Sequence, residues 1–276
     1  MGKITFVPVG GLANRMQAIA SAITLAEKVE MELSILWFKD WALCVPFHRL
    51  FMPLDHSLVS FREASRMDYI LLDRPRQKNF YFPKLYQHLR FRARLYERSI
   101  LPLRDRHFDF ASWATQHRNV YMASYVSFQP YDYSRIHRLF VPVEEIRQEV
   151  EKRCLDFFPK MTGVHIRRTD NVAAIRQSPI ELFFAELDKE MEDADAGIYL
   201  ATDSEEVKES MKKRYGSRLI CAGRQADRTT LAGIQDGVAD MYTLARTQKI
   251  YGSFHSSFSE LAAQISGVPL KILRLP

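Results

Sequence analysis

The sequence predicts an α/β protein made of two Rossmann-like halves that face each other across a cleft. Three observations lead there. Short apolar, strand-like runs alternate with amphipathic helical stretches through much of the chain, the pattern of parallel sheets covered by helices on both faces. The chain opens on a βαβ unit, and a second series of strand-to-helix alternations begins near residue 143. With 276 residues there is room for two modest domains, expected at 1–142 and 143–276.

Taken in order, Ile4 to Val9 reads as a strand and Gly10-Gly11 as a turn. Leu12, Met16, Ile19, Ile23 and Ala26 then recur at helical spacing, and Leu33 to Phe38 reads as the second strand. From Trp41 to Phe140 the periodicity weakens. Aromatic residues, arginines and Pro53, Pro75, Pro83 and Pro102 interrupt short helical stretches, and no definite element order emerges. Val143 to about Phe157 reads as a crossover helix. Thr162–Ile166 is a buried strand, followed by an irregular stretch that ends at Pro179. The next helix carries a capping-box pattern, with Ser178 as N-cap, Pro179 at the first helical position and Glu181 at the third. Strand Gly197–Ala201 precedes a helix over 205–215. Strand Arg218–Ala222 precedes a Gly-containing loop and a helix from about Asp236 to Arg246. Strand Lys249–Gly252 leads through Ser253 to Ser257 into a helix that stops before Gly267.

Composition excludes several classes. Hydrophobic residues make up 47% and charged residues 26%, which is ordinary for a globular protein and unlike a disordered chain. No apolar stretch reaches the roughly 18–20 residues of a membrane span. The start runs straight into a strand without a leader pattern, so the expected location is cytoplasmic. Cys44, Cys154 and Cys221 are widely spaced and form no CxxC pair, so reduced, packing cysteines are expected rather than disulfides or a zinc site. The formal charge of +6 favours acidic partners without choosing among them.

Chemistry concentrates at strand ends. His165-Ile166-Arg167-Arg168-Thr169-Asp170 closes a strand, and ligands of open α/β sheets bind beyond the carboxyl ends of strands. Two adjacent arginines there fit a multiply charged anion, because the guanidinium fork matches phosphate geometry; the structural alternative is a surface ion pair with Asp170 or Glu181. His165, on the strand itself, reads most simply as a packed core histidine. The turn Gly10-Gly11-Leu12-Ala13-Asn14-Arg15 lets a backbone approach a ligand at a helix start. It lacks GxGxxG, and on its own is an ordinary tight turn. Thr202-Asp203-Ser204 is either a helix cap or an acceptor for ribose hydroxyls. Ser253 to Ser257 offers hydroxyls and free amides at a helix start, although Ser257 with Glu260 also fits a capping box. Asp240 has the plain reading of an exposed helix carboxylate. Asp193-Ala194-Asp195 has the DxD form of a metal site but falls ahead of a strand, at the edge opposite the ligand crevice, and no metal site is expected. The basic run from Arg90 to Arg106, interleaved with Phe91, Leu95 and Tyr96, is a solvated face or a weak contact for an anionic acceptor or membrane surface.

Together the segments GGLANRM (10–16), VHIRRTDN (164–171), YLATDS (199–204) and DMYTLARTQKIYGSFHSSFSE (240–260) resemble, in residues and order, the α1,6-/α1,2-fucosyltransferase superfamily, including the bacterial nodulation fucosyltransferases and protein O-fucosyltransferases. Residues 41–140 contribute nothing to the match. The resemblance implies a GT-B type fold and inverting, metal-independent transfer of fucose or a related sugar from GDP-fucose, as in bacterial polysaccharide biosynthesis. It implies no cofactor, a nucleotide-sugar donor and a glycan or lipid-linked acceptor. Contact with a membrane periphery is compatible with it, and nucleic acid is not an expected partner. Carried over by position, Arg168 binds the donor diphosphate with Arg167 and His165 beside it, and Ser256 and Ser257 hold phosphate oxygens. By the same likeness Asp240 recognises guanine, Asp203 belongs to the nucleotide pocket, and Gly10, Gly11, Asn14 and Arg15 line the cleft from the first half. The pattern departs after RRTD: Asn171 replaces a lysine and no acid occurs from 171 to 180. Asp170 and Glu181 are then the candidates for catalytic base, with Asp40 as an alternative from the first half. Other classes compatible with the residues are a dinucleotide-dependent oxidoreductase using Gly10-Gly11 and a non-catalytic basic interaction protein.

Overall fold

The computed structural model describes residues 2–75, 81–169, 172–223, 227 and 229–276. The chain divides into two compact units, Met1–Asp132 and Tyr133–Pro276. The division falls ten residues before the one expected at 142, because the short helical segment from Tyr133 packs on an element of the second unit.

In the first unit the order is β1 (Lys3–Pro8), α1 (Leu12–Val29), β2 (Glu32–Trp37), β3 (Val59–Glu63), α2 (Arg66–Leu71), α3 (Tyr81–Arg90), β4 (Ala93–Leu95), α4 (Glu97–Asp105), α5 (Phe110–His117) and β5 (Asn119–Ser124). These strands form one parallel sheet in the order β3-β2-β1-β5-β4. The βαβ start falls where its periodicity put it, with Met16, Ile19, Ile23 and Ala26 fully buried. The unreadable stretch supplies three of the five strands. β3 and β4 are short edge strands without a fully buried residue, and so carry little apolar signal. Val7, Leu36, Phe38, Tyr121 and Ala123 face one side of the sheet, where Tyr69 and Leu72 pack on them. On the other side Phe6 meets Phe128, which meets Phe110 of α5.

The second unit continues with α6 (Ile136–Leu139), α7 (Glu144–Cys154), β6 (Lys160–Ile166), α8 (Val172–Gln177), α9 (Ile180–Glu190), β7 (Ala196–Thr202), α10 (Glu205–Tyr215), β8 (Leu219–Cys221), α11 (Leu231–Leu244), β9 (Lys249–Ser253), α12 (Ser257–Ser266) and β10 (Leu270–Leu273). Its sheet is also parallel, ordered β10-β9-β6-β7-β8. Val164, Ile166, Ile198 and Leu200 pack against Phe183 and Leu187 of α9 and Val207 and Met211 of α10. The alternate residues His165 and Tyr199 turn to the other face, toward α12 and toward α7 and α11. Helices therefore cover both faces, as alternation implied. Two elements were not anticipated: α8 occupies part of the stretch read as irregular, and β10 adds an edge strand.

The capping-box readings at α9 and α12 are corrected. The N-cap of α9 is Pro179, without a side-chain bond, and Ser178 lies one residue outside. The N-cap of α12 is Ser256, again without a side-chain cap bond, and Ser257 is the first helical residue. In both cases the serine hydroxyl nearest the helix start has a distant, buried partner instead.

Candidate functional site

In the second unit the chain runs from β6 outward through β7 to β8, then returns to the other side of β6 for β9 and β10. The connection thus reverses between β6 and β9, the point where open α/β sheets bind ligands. The residues beyond β6 are the arginine pair, and those beyond β9 are the serines that open α12.

The loop after β6 is held by Asp203, which follows the adjacent strand β7. Its Oδ1 accepts the Arg168 N–H at 2.7 Å, and its Oδ2 accepts the Thr169 hydroxyl at 2.7 Å and the Thr169 N–H at 3.4 Å. From the other side Ser253 Oγ accepts the Arg167 N–H and donates to the His165 carbonyl. Asp203 thereby shapes the anion loop instead of meeting a ligand with an unengaged carboxylate. Ser204, next along, takes the ordinary capping role for α10.

The Arg168 guanidinium is half-buried. It donates to the Arg167 carbonyl at 3.0 Å and the Ser178 carbonyl at 2.8 Å, and no carboxylate among the described residues forms an ion pair with it. Burial pulls it below the usual arginine value, while Asp203 and Glu181 oppose that shift. A desolvated cation held by neutral carbonyls has unmet capacity for an anion. Ser178 is the hub that orients it. Fully buried, its hydroxyl donates to the Leu273 carbonyl at 2.5 Å and accepts the Phe254 N–H at 2.8 Å, so the ends of β9 and β10 are tied to Arg168. Sequence reading missed this role because Ser-Pro ahead of a helix looks like a cap. The only available signal was its position between two strand-end motifs.

His165 is the packed histidine of the simpler reading. Its Nδ1 lies 3.0 Å from Ser256 Oγ and its ring stacks on Phe258 at 4.6 Å. Ser256 is fully buried, so its hydroxyl is engaged inside the fold and does not present itself to a phosphate. Ser257 is half-buried in the first turn of α12, whose N-cap Ser256 makes no side-chain bond to the amides of that turn. Glu181 is exposed in the first turn of α9, and with the capping box absent its carboxylate is not occupied there. Asp170 lies outside the described residues.

Asp240 is not a plain surface carboxylate. Its Oδ1 accepts from Arg153 Nη1 and from the Tyr199 hydroxyl, each at 2.6 Å, and Asp236 takes the other end of Arg153. Burial lifts the Asp240 carboxyl to about 6 against the opposing pull of Arg153 and Tyr199. All of the described bonds fall on Oδ1.

In the first unit, Gly10 adopts φ +85°, where an L side chain is strained. A Cβ at Gly10 would stand 3.3 Å from Asn14 Nδ2, whereas one at Gly11 would meet nothing within 4 Å. The turn is therefore tight at Gly10, where Asn14 stands against it, and open at Gly11. Arg15 does not line a crevice. It is fully buried and donates to the carbonyls of Gly10 and Phe38 and to Asp40 Oδ1 at 2.9 Å, which braces the turn. Asp40 is a poor base for the same reason. Burial raises its carboxyl, but Arg15 and Arg74 more than offset this and hold it below the carboxylate range.

Asp193 and Asp195 lie just ahead of β7, at the amino edge of the sheet. Asp193 is engaged by Lys160 and by the Asp195 N–H. Among the described residues no group of three or more His, Cys, Asp or Glu side chains is arranged to hold a metal ion. Nor is any described helix long and apolar enough to cross a membrane.

A scan against protein-family models finds no match, and neither does a sequence search of curated proteins. Solved structures do match. The α1,6-fucosyltransferase NodZ soaked with GDP-fucose superposes with a TM-score of 0.68 at 17% identity, covering 98% of this chain and 94% of that one; NodZ has also been solved from Bradyrhizobium. The chain has a fucosyltransferase fold. FUT1 of Arabidopsis thaliana, as a variant in complex with GDP, gives 0.63 at 14% identity over 100% of this chain and 70% of that one. POFUT1 in complex with GDP-fucose gives 0.57 at 12% identity over 99% and 98%. The fucosyltransferase fold extends over both units, including residues 41–140 where no motif matched.

Proposed function

We propose that the protein is a glycosyltransferase that moves fucose, or a related sugar, from GDP-fucose to a hydroxyl of a glycan or lipid-linked acceptor. The observation that carries this reading is Arg168: a half-buried guanidinium at the switch point of the second sheet, hydrogen-bonded to two carbonyls and to no carboxylate among the described residues. Loss of GDP leaves negative charge on the β-phosphate. Fixed cations and helix-end amides aimed at that charge lower the barrier without a metal. Arg168 and the first turn of α12, with Ser257, supply such groups. Asp203 and Ser178 act through Arg168 by fixing its backbone and side chain. Asp240 has Oδ2 available for the paired N–H groups of a guanine edge.

Transfer with inversion calls for a base on the incoming hydroxyl. Glu181, exposed and close enough to Arg168 to influence its charge, is the described candidate, and Asp170 is the other. Cys44, Cys154 and Cys221 form no disulfide among the described residues, which suits a reducing, cytoplasmic setting. The oxidoreductase alternative is less well supported, because the Gly10 turn is closed by Asn14 and braced from below by Arg15.

The test is ligand-dependent melting followed by a donor screen. GDP at about a hundred times its dissociation constant should stabilise by about 2.7 kcal/mol, an upward shift on the order of 5–10 °C, with UDP and NAD inert. Among GDP- and UDP-sugars, GDP-fucose should release nucleotide fastest. A shift with NAD and none with GDP would overturn the proposal.

A further inference from the structure

We propose that α3 and its flanks form a surface that docks on an anionic lipid bilayer. A helix of a soluble domain ordinarily turns its apolar stripe inward, and α3 does the reverse. Its inner positions are Pro83 and the fully buried Gln87. The Gln87 amide donates to the carbonyls of Leu71 and Asp73 and accepts from the Tyr96 hydroxyl. Outward stand Phe82, Leu85 and Leu89, exposed by 72%, 64% and 78%. Their spacing of three and four residues makes one continuous stripe. Helix α2, which packs on α3, adds the exposed Met67 and Ile70. Polar bonds tie the inner face of the helix to the fold while its apolar side chains stand exposed.

Charge identifies the occupant. From residue 81 to 96 the chain carries Lys84, Arg90, Arg92 and Arg94 and neither Asp nor Glu. Arg90 and Arg92 are exposed at the end of the stripe. Arg94 reaches back to the carbonyl of Phe91 and to His88, stiffening the exit from α3. An apolar stripe bordered by cations of one sign is the arrangement of a helix lying at a lipid headgroup boundary. A second copy fits poorly, since a two-fold contact would set the same cations against themselves. The contact is peripheral.

Cosedimentation with vesicles tests this and needs no nucleotide, so its failure leaves the donor reading untouched. Wild-type protein should pellet with phosphatidylcholine vesicles containing phosphatidylglycerol, and much less with phosphatidylcholine alone. F82S/L85S/L89S should reduce binding by at least about tenfold with an unchanged melting temperature, because all three side chains are already in water. R90Q/R92Q should lose about tenfold or more on anionic vesicles only, and raised salt should weaken the wild type. Absence of wild-type binding to either vesicle, or wild-type affinity in both variants, overturns the proposal. So does a wild-type dimer that F82S/L85S/L89S converts to monomer without any vesicle binding, which would assign the face to a second copy.

Discussion

Replacing Asp203 separates a carboxylate that shapes the anion loop from one that touches the nucleotide. In the folded chain its two oxygens take the Arg168 N–H and the Thr169 hydroxyl at 2.7 Å each, with a longer bond to the Thr169 N–H. Each hydrogen bond to a charged acceptor contributes about 1.5–3 kcal/mol, and coupled bonds sum to less than their parts. Asp203→Ala should therefore release the loop at a cost of about 2–3 kcal/mol. If GDP binds only the ordered loop, the ordering cost appears in the apparent affinity, a weakening of roughly 30- to 150-fold. Asp203→Asn keeps one carbonyl oxygen for the Arg168 N–H and should lose roughly tenfold. Titration calorimetry with GDP reads these values, with circular dichroism melting as the control for unfolding. A carboxylate that acts through Arg168 loses its effect once Arg168 is gone. Asp203→Ala should thus cost little further affinity on an Arg168→Ala background. Full additivity of the two losses, or wild-type affinity in Asp203→Ala, would refute the assignment of Asp203 as a positioning residue.

Two further outcomes concern stability. Ser178→Ala strands the Phe254 N–H inside the fold and should cost about 1–3 kcal/mol by thermal melting; an unchanged melting temperature would remove Ser178 from its place as hub. Asp68 closes a capping box at α2 and takes a bidentate bond from Arg62, which with burial opposing sets its carboxyl at about 2. Its folded value is below the unfolded one, so the stabilisation is present above about pH 4 and is lost as pH falls through 2. Arg62 is half-exposed and screens the pair, so Asp68→Asn should cost about 1–2 kcal/mol at neutral pH, and the gap to wild type should narrow in acid melts. A gap independent of pH would attribute the loss to the cap alone.

Residues 41–140 show why part of the fold was opaque. Strands β3 and β4 are five and three residues long at sheet edges, so burial imposes little apolar alternation on them. Helix α3 inverts the pattern on which periodicity reading depends, with Gln87 inside and Phe82, Leu85 and Leu89 outside. In the second half, by contrast, buried central strands and well-marked helix boundaries put most elements within a few residues of their predicted ranges. The candidate site was found where strands end, but several roles within it moved. Arg15 braces its own turn, Ser256 pairs with His165, Asp203 holds the loop, and Ser178 ties three segments together.

By itself, the amino-acid order determined which residues stand at the carboxyl edge of each sheet. In a parallel sheet every strand-to-helix turn falls on the same edge, so VHIRRTD, ATD and SFHSS had to share one. Only the tertiary structure decided which of those turns are neighbours and which polar groups engage each other. Strand order is a property of pairing across space: β9 returns beside β6 after 82 intervening residues. The side-chain partners of Ser178, Asp203 and Ser256 are 34 to 95 residues away in sequence. A buried hydroxyl or carboxylate takes whichever donor the packed fold brings within reach, and local sequence patterns do not encode that choice.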